Sequence, residues 1–174
     1  MDFEKLTAKS KEVIEDVIKL AASKRNQYIT PLHILKVLLD RGEELISNLI
    51  LKSGGSLTQI RDKLETAFAK LPSVEGSGVQ SLMSQEFTQV MMEAEKLADK
   101  SGDKFVTVER IFQALAMTAG NEAYQILTSS GVNAAKLNQV INEYRKGRVA
   151  DSETAEDNFE ALKKFTIDIT AKAK

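Results

Sequence analysis

The sequence predicts an all-α protein: a pseudo-twofold duplication of a four-helix repeat, about eight helices in all. Apolar residues recur at helical spacing almost throughout, and no strictly alternating run bounded by turns argues for a strand. Helix start and stop residues fall where the periodic stretches begin and end. The whole pattern then returns 77 residues later without a gap.

From Leu6 through Val13, Ile14, Val17, Ile18 and Ala21 the first helix presents one apolar face, and it should end near Lys24. Thr30-Pro31 starts the second, whose face is Ile34, Val37 and Leu38; Gly42 lies just past its end, suited to a left-handed cap. A short third helix begins at Glu43-Glu44, where negative charge suits the dipole, and turns Leu45, Leu49 and Ile50 inward. Ser53-Gly54-Gly55 stops it. Ser56 then caps a fourth helix with Leu57, Ile60, Leu64, Ala67, Phe68 and Leu71 on one face, until Pro72 removes the donor for another turn.

The second repeat keeps this register. Leu20-Ala21 matches Leu97-Ala98, Ile29-Thr30 matches Val106-Thr107, and Ser53-Gly54 matches Ser130-Gly131. Apolar positions follow: Leu6 with Met83, Val13 with Val90, Ile34 with Ile111, Leu38 with Leu115, Leu49 with Ile126, Ile60 with Leu137 and Leu64 with Ile141. Capping threonines and a Ser-Gly stop held in one register mark a duplication rather than chance similarity. The expected boundaries are 1–71 for the first repeat, 72–82 for a linker that Val74 and Val79 can pin, and 83–145 for the second repeat. Residues 146–174 begin as a polar tether, expected to be mobile or extended. They regain apolar spacing at Leu162, Phe165, Ile167 and Ile169, and the chain stops at Lys174 with no closing cap, as though cut from something longer.

Composition excludes several functions. The 24 basic and 25 acidic residues leave a net charge of −1, without the positive excess that drives nucleic-acid binding. No cysteine is present, so there is no disulfide, thiol nucleophile or thiolate zinc site, and a reducing cytoplasmic setting fits. The charged amino terminus does not resemble a signal peptide, and no segment has the run of roughly 18 apolar residues that crosses a membrane. Phosphate-binding loops, metalloprotease, nucleophile-elbow and calcium-loop patterns are absent.

His33, the single histidine, has no histidine or cysteine partner, and its position in the second repeat is Arg110; it reads as a local packing or hydrogen-bonding residue of a helix start. More informative is "GDKFVTVER" at 102–110. Gly102 ends one helix, Asp103 lies in the turn, Thr107 caps the next helix, and Glu109 falls in its first turn. These acids serve turn and dipole, or else form a negative rim beside an apolar groove that receives basic and apolar peptide. Met83, Met91, Met92 and Met117 are candidates to line such a groove, although their helical spacing also suits a core.

The stretches "ITPLHILKVLL" and "SGDKFVTVERIFQAL" resemble paired helices of the Clp amino-terminal domain family, which stands at the front of ring-forming chaperone ATPases. "LPSVEG" at 71–76 and "ALKKFTIDIT" at 161–170 are similar to the disaggregase branch of that family. The resemblance implies an amino-terminal module that binds unfolded or aggregated polypeptide and delivers it to an ATPase ring. ATP and magnesium would belong to missing ATPase modules, so this chain is expected to need no cofactor or metal and to catalyse nothing itself. It also implies a monomeric fragment of a hexameric protein, with co-chaperones among the partners.

By the resemblance the functional residues fall on Thr7, Val13, Leu97, Asp103 and Glu109, and Arg110, next to Glu109 in the same first turn, is a further candidate. Glu93 and Arg110 stand where relatives can carry leucine, a departure that bears on the width of the apolar patch. The expected site is a groove exposed near Thr7, Val13, Leu97 and the turn from Asp103 to Arg110, binding weakly and aided by tethered copies. Two other readings stay open: docking of a folded adaptor, and a small hydrolase using Asp103 or Glu109.

Overall fold

The computed structural model describes residues 2–76 and 80–156. After a 3-10 turn at Phe3–Lys5 the chain forms α1 (Ala8–Ser23), β1 (Tyr28–Ile29), α2 (Pro31–Asp40), α3 (Glu44–Lys52) and α4 (Leu57–Ala69). The second half contains β2 (Leu82–Met83), α5 (Gln85–Lys100), α6 (Val108–Met117), α7 (Glu122–Ser129) and α8 (Ala134–Arg145). The first residues of α1 and α5, of α2 and α6, and of α4 and α8 each stand 77 apart. Capping explains the shared starts: Thr7 accepts from the Ser10 amide, Ser84 from Phe87, Ser56 from Gln59 and Asn133 from Lys136.

Both halves feed one core. Val13, Ile34, Leu38, Ile50 and Ile60 join Val90, Phe112, Leu115, Ile126 and Leu137 in a single buried cluster. α3 packs on α8, α4 on α7, and α2 on both α6 and α7, so the halves are not separate lobes. Backbone bonds stitch them at the duplication axis: the Ser56 amide donates to the Ser130 carbonyl at 2.9 Å, and the Asn133 amide to the Ser53 carbonyl at 3.1 Å.

A second exchange occurs at the strands. β1 and β2 pair in parallel, Tyr28 with Leu82 and Ile29 with Met83, and the counterpart is a parallel bridge between Leu6 and Val106. Matching amides continue each pairing, Ser84 to Ile29 at 3.0 Å and Thr7 to Val106 at 3.1 Å. Strands of two residues are too short to leave an alternating pattern in a sequence.

Other departures are local. Ile18, expected on the inner face of the first helix, is exposed, and Leu45 is half-buried while Ile46 takes the core position. The linker is held by polar bonds more than by Val74: Ser73 Oγ donates to the Lys24 carbonyl, the Val74 amide to Arg25, and the Asn26 side-chain amide to Pro72. The largest departure is at 146–156. Instead of leaving as an extended tether, this stretch turns back against α1 and α6, burying Ala150, Ala155 and Glu156. Val79 and the apolar spacing at 162–169 lie outside the described residues. Among the described residues no helix is long and apolar enough to cross a membrane.

Candidate functional site

The turn between α5 and α6 builds a charged cluster inside the fold. Gly102 takes a left-handed φ of 80°, and the Asp103 amide closes onto the Ala98 carbonyl at 2.8 Å, turning the Asp103 side chain inward. Arg145, in the last turn of α8, meets it with a two-pronged bond, Nη1 to Oδ1 at 2.9 Å and Nη2 to Oδ2 at 2.8 Å. Its Nε donates to Glu109 Oε1 at 2.5 Å, while the remaining N–H groups reach Thr107 Oγ1 at 3.0 Å and the Arg148 carbonyl at 3.2 Å. All five guanidinium N–H groups are thus engaged, which suits a planar fork better than a lysine. Burial works against the Arg145 charge, yet the bond to Asp103 and the charge of Glu109 outweigh it and hold the group above its ordinary range.

Arg110 sits beside this pair. Its Nη1 donates to Gln113 Oε1 at 2.8 Å, and Nε lies 3.6 Å from Asp103 Oδ2, an ion pair too long for a hydrogen bond. Burial and then the neighbouring Arg145 charge lower its affinity for a proton.

Thr107 makes no side-chain cap bond; its hydroxyl accepts from Arg145, and the first amide of α6 is met by a carboxyl from the returning chain. Glu156 Oε2 accepts from the Val108 amide at 3.0 Å, and Oε1 is bonded by the Thr7 hydroxyl at the start of α1. The returning segment is further held by the Ala8 amide on the Glu153 carbonyl at 2.8 Å, the Lys104 and Phe105 amides on the Ala150 carbonyl, and the Ala150 amide on Asp103 Oδ1 at 2.9 Å. Burial, followed by the charge of Glu109, pushes the Glu156 carboxyl up to about 7. Glu109 Oε2 is buried without a hydrogen-bond donor.

The first repeat carries the same arrangement in neutral form. Asn26, His33 and Phe68 stand 77 residues before Asp103, Arg110 and Arg145. His33 Nδ1 accepts from the Thr30 amide at 2.9 Å, which leaves the proton on Nε2, and Nε2 donates to Asn26 Oδ1 at 2.9 Å. The imidazole edge meets the Phe68 ring at a centroid distance of 5.2 Å. Burial pushes His33 down to about 4, so it is a neutral packing and capping group.

Of the six candidate residues, Asp103, Glu109 and Arg110 come together in this cluster, with Thr7 joined to it through Glu156. Val13 belongs to the core, and Leu97 packs at its margin. None lines an open groove: Thr7, Val13 and Glu109 are 0% exposed, Arg110 3%, Asp103 5% and Leu97 9%. The returning segment meets Thr7 and Asp103, Arg145 and Gln113 engage Glu109 and Arg110, and Val13 and Leu97 pack in the core. The methionines likewise fail to share a groove with Met91, which is buried in the core while Met83, Met92 and Met117 are exposed.

Two members of the cluster went unread in the sequence, Arg145 and Glu156. A signal for the first existed: the repeat register places Arg145 at the core-facing position of Phe68, where a charge demands partners. Among the described residues no cluster of three or more acidic or histidine side chains is poised to hold a metal.

Exposed apolar side chains lie elsewhere. Tyr28 and Leu82 pair at the strand edge and are 48% and 57% exposed, and Met83, Ile18 and Met92 are also open to solvent. In the repeat register Leu82 and Ile18 correspond to Lys5 and Glu95, which form a salt bridge at 3.2 Å. One face of the duplicated fold is therefore ion-paired where the other is apolar.

Comparison with known proteins agrees with the fold. The profile of the Clp repeat (R) N-terminal domain matches residues 5–130. The chain is 45% identical, over all 174 residues, to the chaperone protein ClpB of Mesorhizobium japonicum and to that of Brucella suis, and it spans 20% of their length. The Hsp104 N-terminal domain of Candida albicans superposes with a TM-score of 0.75 at 20% identity, covering 87% of this chain and 98% of that one. A ClpV N-domain in complex with a VipB peptide superposes with a TM-score of 0.63 at 22% identity, covering 80% of this chain and 86% of that one.

Proposed function

The chain belongs to the Clp repeat N-terminal domain family, and we propose that it is the polypeptide-recognition module of a ClpB-type disaggregase. In this reading it binds unfolded or aggregated protein and passes it to an ATPase ring whose ATP and magnesium sites lie outside these 174 residues. The observation that carries the reading is the 45% identity to ClpB chaperones along the entire chain. The exposed apolar surface at Ile18, Tyr28, Leu82, Met83 and Met92 supports weak capture without chemistry. Thr7, Val13, Leu97, Asp103, Glu109 and Arg110 act in this proposal from beneath the surface, holding the frame on which a client docks.

Titration with a permanently unfolded, carboxymethylated protein, followed by NMR of the isolated chain, tests this. Micromolar-to-millimolar binding with shifts on the apolar surface is expected; no binding, or hydrolysis of ATP by the isolated chain, refutes it. A second reading, docking of one defined segment of a folded partner, is favoured by the ClpV N-domain solved with a VipB peptide. A peptide array separates them, since capture follows apolar content whatever its order, and docking follows one motif.

A further inference from the structure

The returning segment is attached in an unusual way. Among the described residues its apolar burial is confined to Ala150 and Ala155, packed with Phe105 and Tyr144, and its other anchors are polar: the Ala150 and Glu153 carbonyls, the Ala150 amide on Asp103, the Glu156 carboxyl and the Lys11–Glu153 pair. So little apolar area holds a segment only while its polar bonds are good.

Those bonds respond to a proton: burial and then Glu109 favour the protonated Glu156 and outweigh the Thr7 hydroxyl and the Val108 amide, which favour the ionised one. Thr7 has one hydroxyl proton and two oxygen neighbours, Ser10 Oγ at 3.0 Å and Glu156 Oε1. Ser10 cannot supply the missing proton, because its own is committed to the Val106 carbonyl at 2.8 Å. A proton on Glu156 completes the chain: Glu156 donates to Thr7, Thr7 to Ser10, and Ser10 to Val106. The charges agree. Asp103 and Glu109 are balanced by Arg110 and Arg145, so an ionised Glu156 would add one unpaired negative charge beside Glu109, whose Oε2 has no donor. Among the described residues the remaining charges at the seat are Lys9 and Lys11 on α1, the latter paired with Glu153 at 3.7 Å.

We propose that residues 149–156 form a proton-gated latch, closed when Glu156 is protonated on Thr7 and the Val108 amide, and released when Glu156 ionises against Glu109. Release opens the amino ends of α1 and α6 and the Asp103–Glu109–Arg145 cluster. The proposal rests on the client-binding reading only in that the uncovered ends of α1 and α6 would add to the apolar surface assigned there to a client.

The direction of the pH effect follows from the geometry. Glu156 ionises near its ordinary 4.5 when released and at about 7 when docked, so docking takes up a proton. Docking is strongest below pH 4.5, weakens up to tenfold per pH unit as pH rises towards 7, and levels off above it.

NMR of the whole chain reads both ends of the latch: the Glu156 side-chain carboxyl shift against pH, and the hydrogen-exchange protection of the Ala8 and Val108 amides, corrected for intrinsic rates. A Glu156 midpoint well above 4.5, with protection of both amides falling in that window, is expected. Glu156→Gln, which supplies a permanent N–H donor to Thr7, should keep both amides protected through pH 8. A midpoint at or below 4.5, or protection in Glu156→Gln that falls as in the unmodified chain, overturns the latch. The titration of the unmodified chain decides the matter even if the variant does not fold. Binding of the carboxymethylated protein at pH 6 and 8 keeps the two ideas apart. A latch that titrates without any client binding refutes the client reading alone, and client binding with no titration refutes the latch alone.

Discussion

Gly54 and Gly131 meet across the duplication axis so closely that a Cβ on Gly131 would lie 2.4 Å from the Gly54 carbonyl oxygen. Both have positive φ, 98° and 101°, and the obstacle is backbone, which cannot rotate aside. Gly131→Ala should therefore destabilise the protein by more than about 2 kcal/mol in urea unfolding. Gly42→Ala, with positive φ but open space around it, should cost only about 1 kcal/mol. Equal losses at the two positions would show that close approach is not what selects glycine at the axis.

Arg145 holds two buried carboxylates at once. Arg145→Met should cost about 3–5 kcal/mol, because Asp103 and Glu109 lose their shared cation inside the fold. Arg145→Lys should recover less than half of that, since one ammonium cannot reproduce the fork onto Asp103 together with the bonds to Glu109 and Thr107. Chemical denaturation of the two variants decides between pairing by geometry and pairing by charge alone.

His33 contributes a pH dependence of opposite sign to Glu156. Its value falls from 6.5 to about 4 in the fold, so the unfolded chain binds the proton first as pH drops. The stability it lends is complete above pH 6.5 and is lost between there and pH 4, on the order of 3 kcal/mol in total. Ring nitrogen shifts should show the Nε2–H form at pH 7 with a midpoint near 4; a midpoint near 6.5 would contradict the burial and capping described for this residue.

Leu82 is exposed and sits beside Tyr28 at the strand edge. Leu82→Ser should leave stability within about 0.5 kcal/mol of the original and weaken binding of the carboxymethylated protein several-fold. Unchanged binding in both Leu82→Ser and Ile18→Ser would move the client surface elsewhere.

The helices, their caps and the 77-residue register were legible because they are local: Thr30 before Pro31, Ser56 before Leu57, and Gly54 after Ser53 act within a turn or two of the chain. Burial was less legible where neighbours decide it. Ile18 shares the spacing of Val17 and Val13 yet meets solvent, since the exposed Leu82 edge rather than the core lies on its side in the repeat register. Asp103 and Glu109 looked like a rim because turn and first-turn positions usually face water; Arg145, 36 residues past Glu109, draws them inward. Glu156 was hidden for a simpler reason. A polar stretch without apolar periodicity reads as a tether, and only the fold brings the Val108 amide and the Thr7 hydroxyl together to give that carboxyl a place to go.

The exchanged strands also have a mechanical meaning. Leu6 sits on Val106 and Met83 on Ile29, so each half begins its helices from a strand seated in the other half. Force borne by either pairing therefore loads both halves together, through the single core they share. Parting the two halves would break both pairings and open that core, so the duplication builds one body from two copies of a sequence pattern.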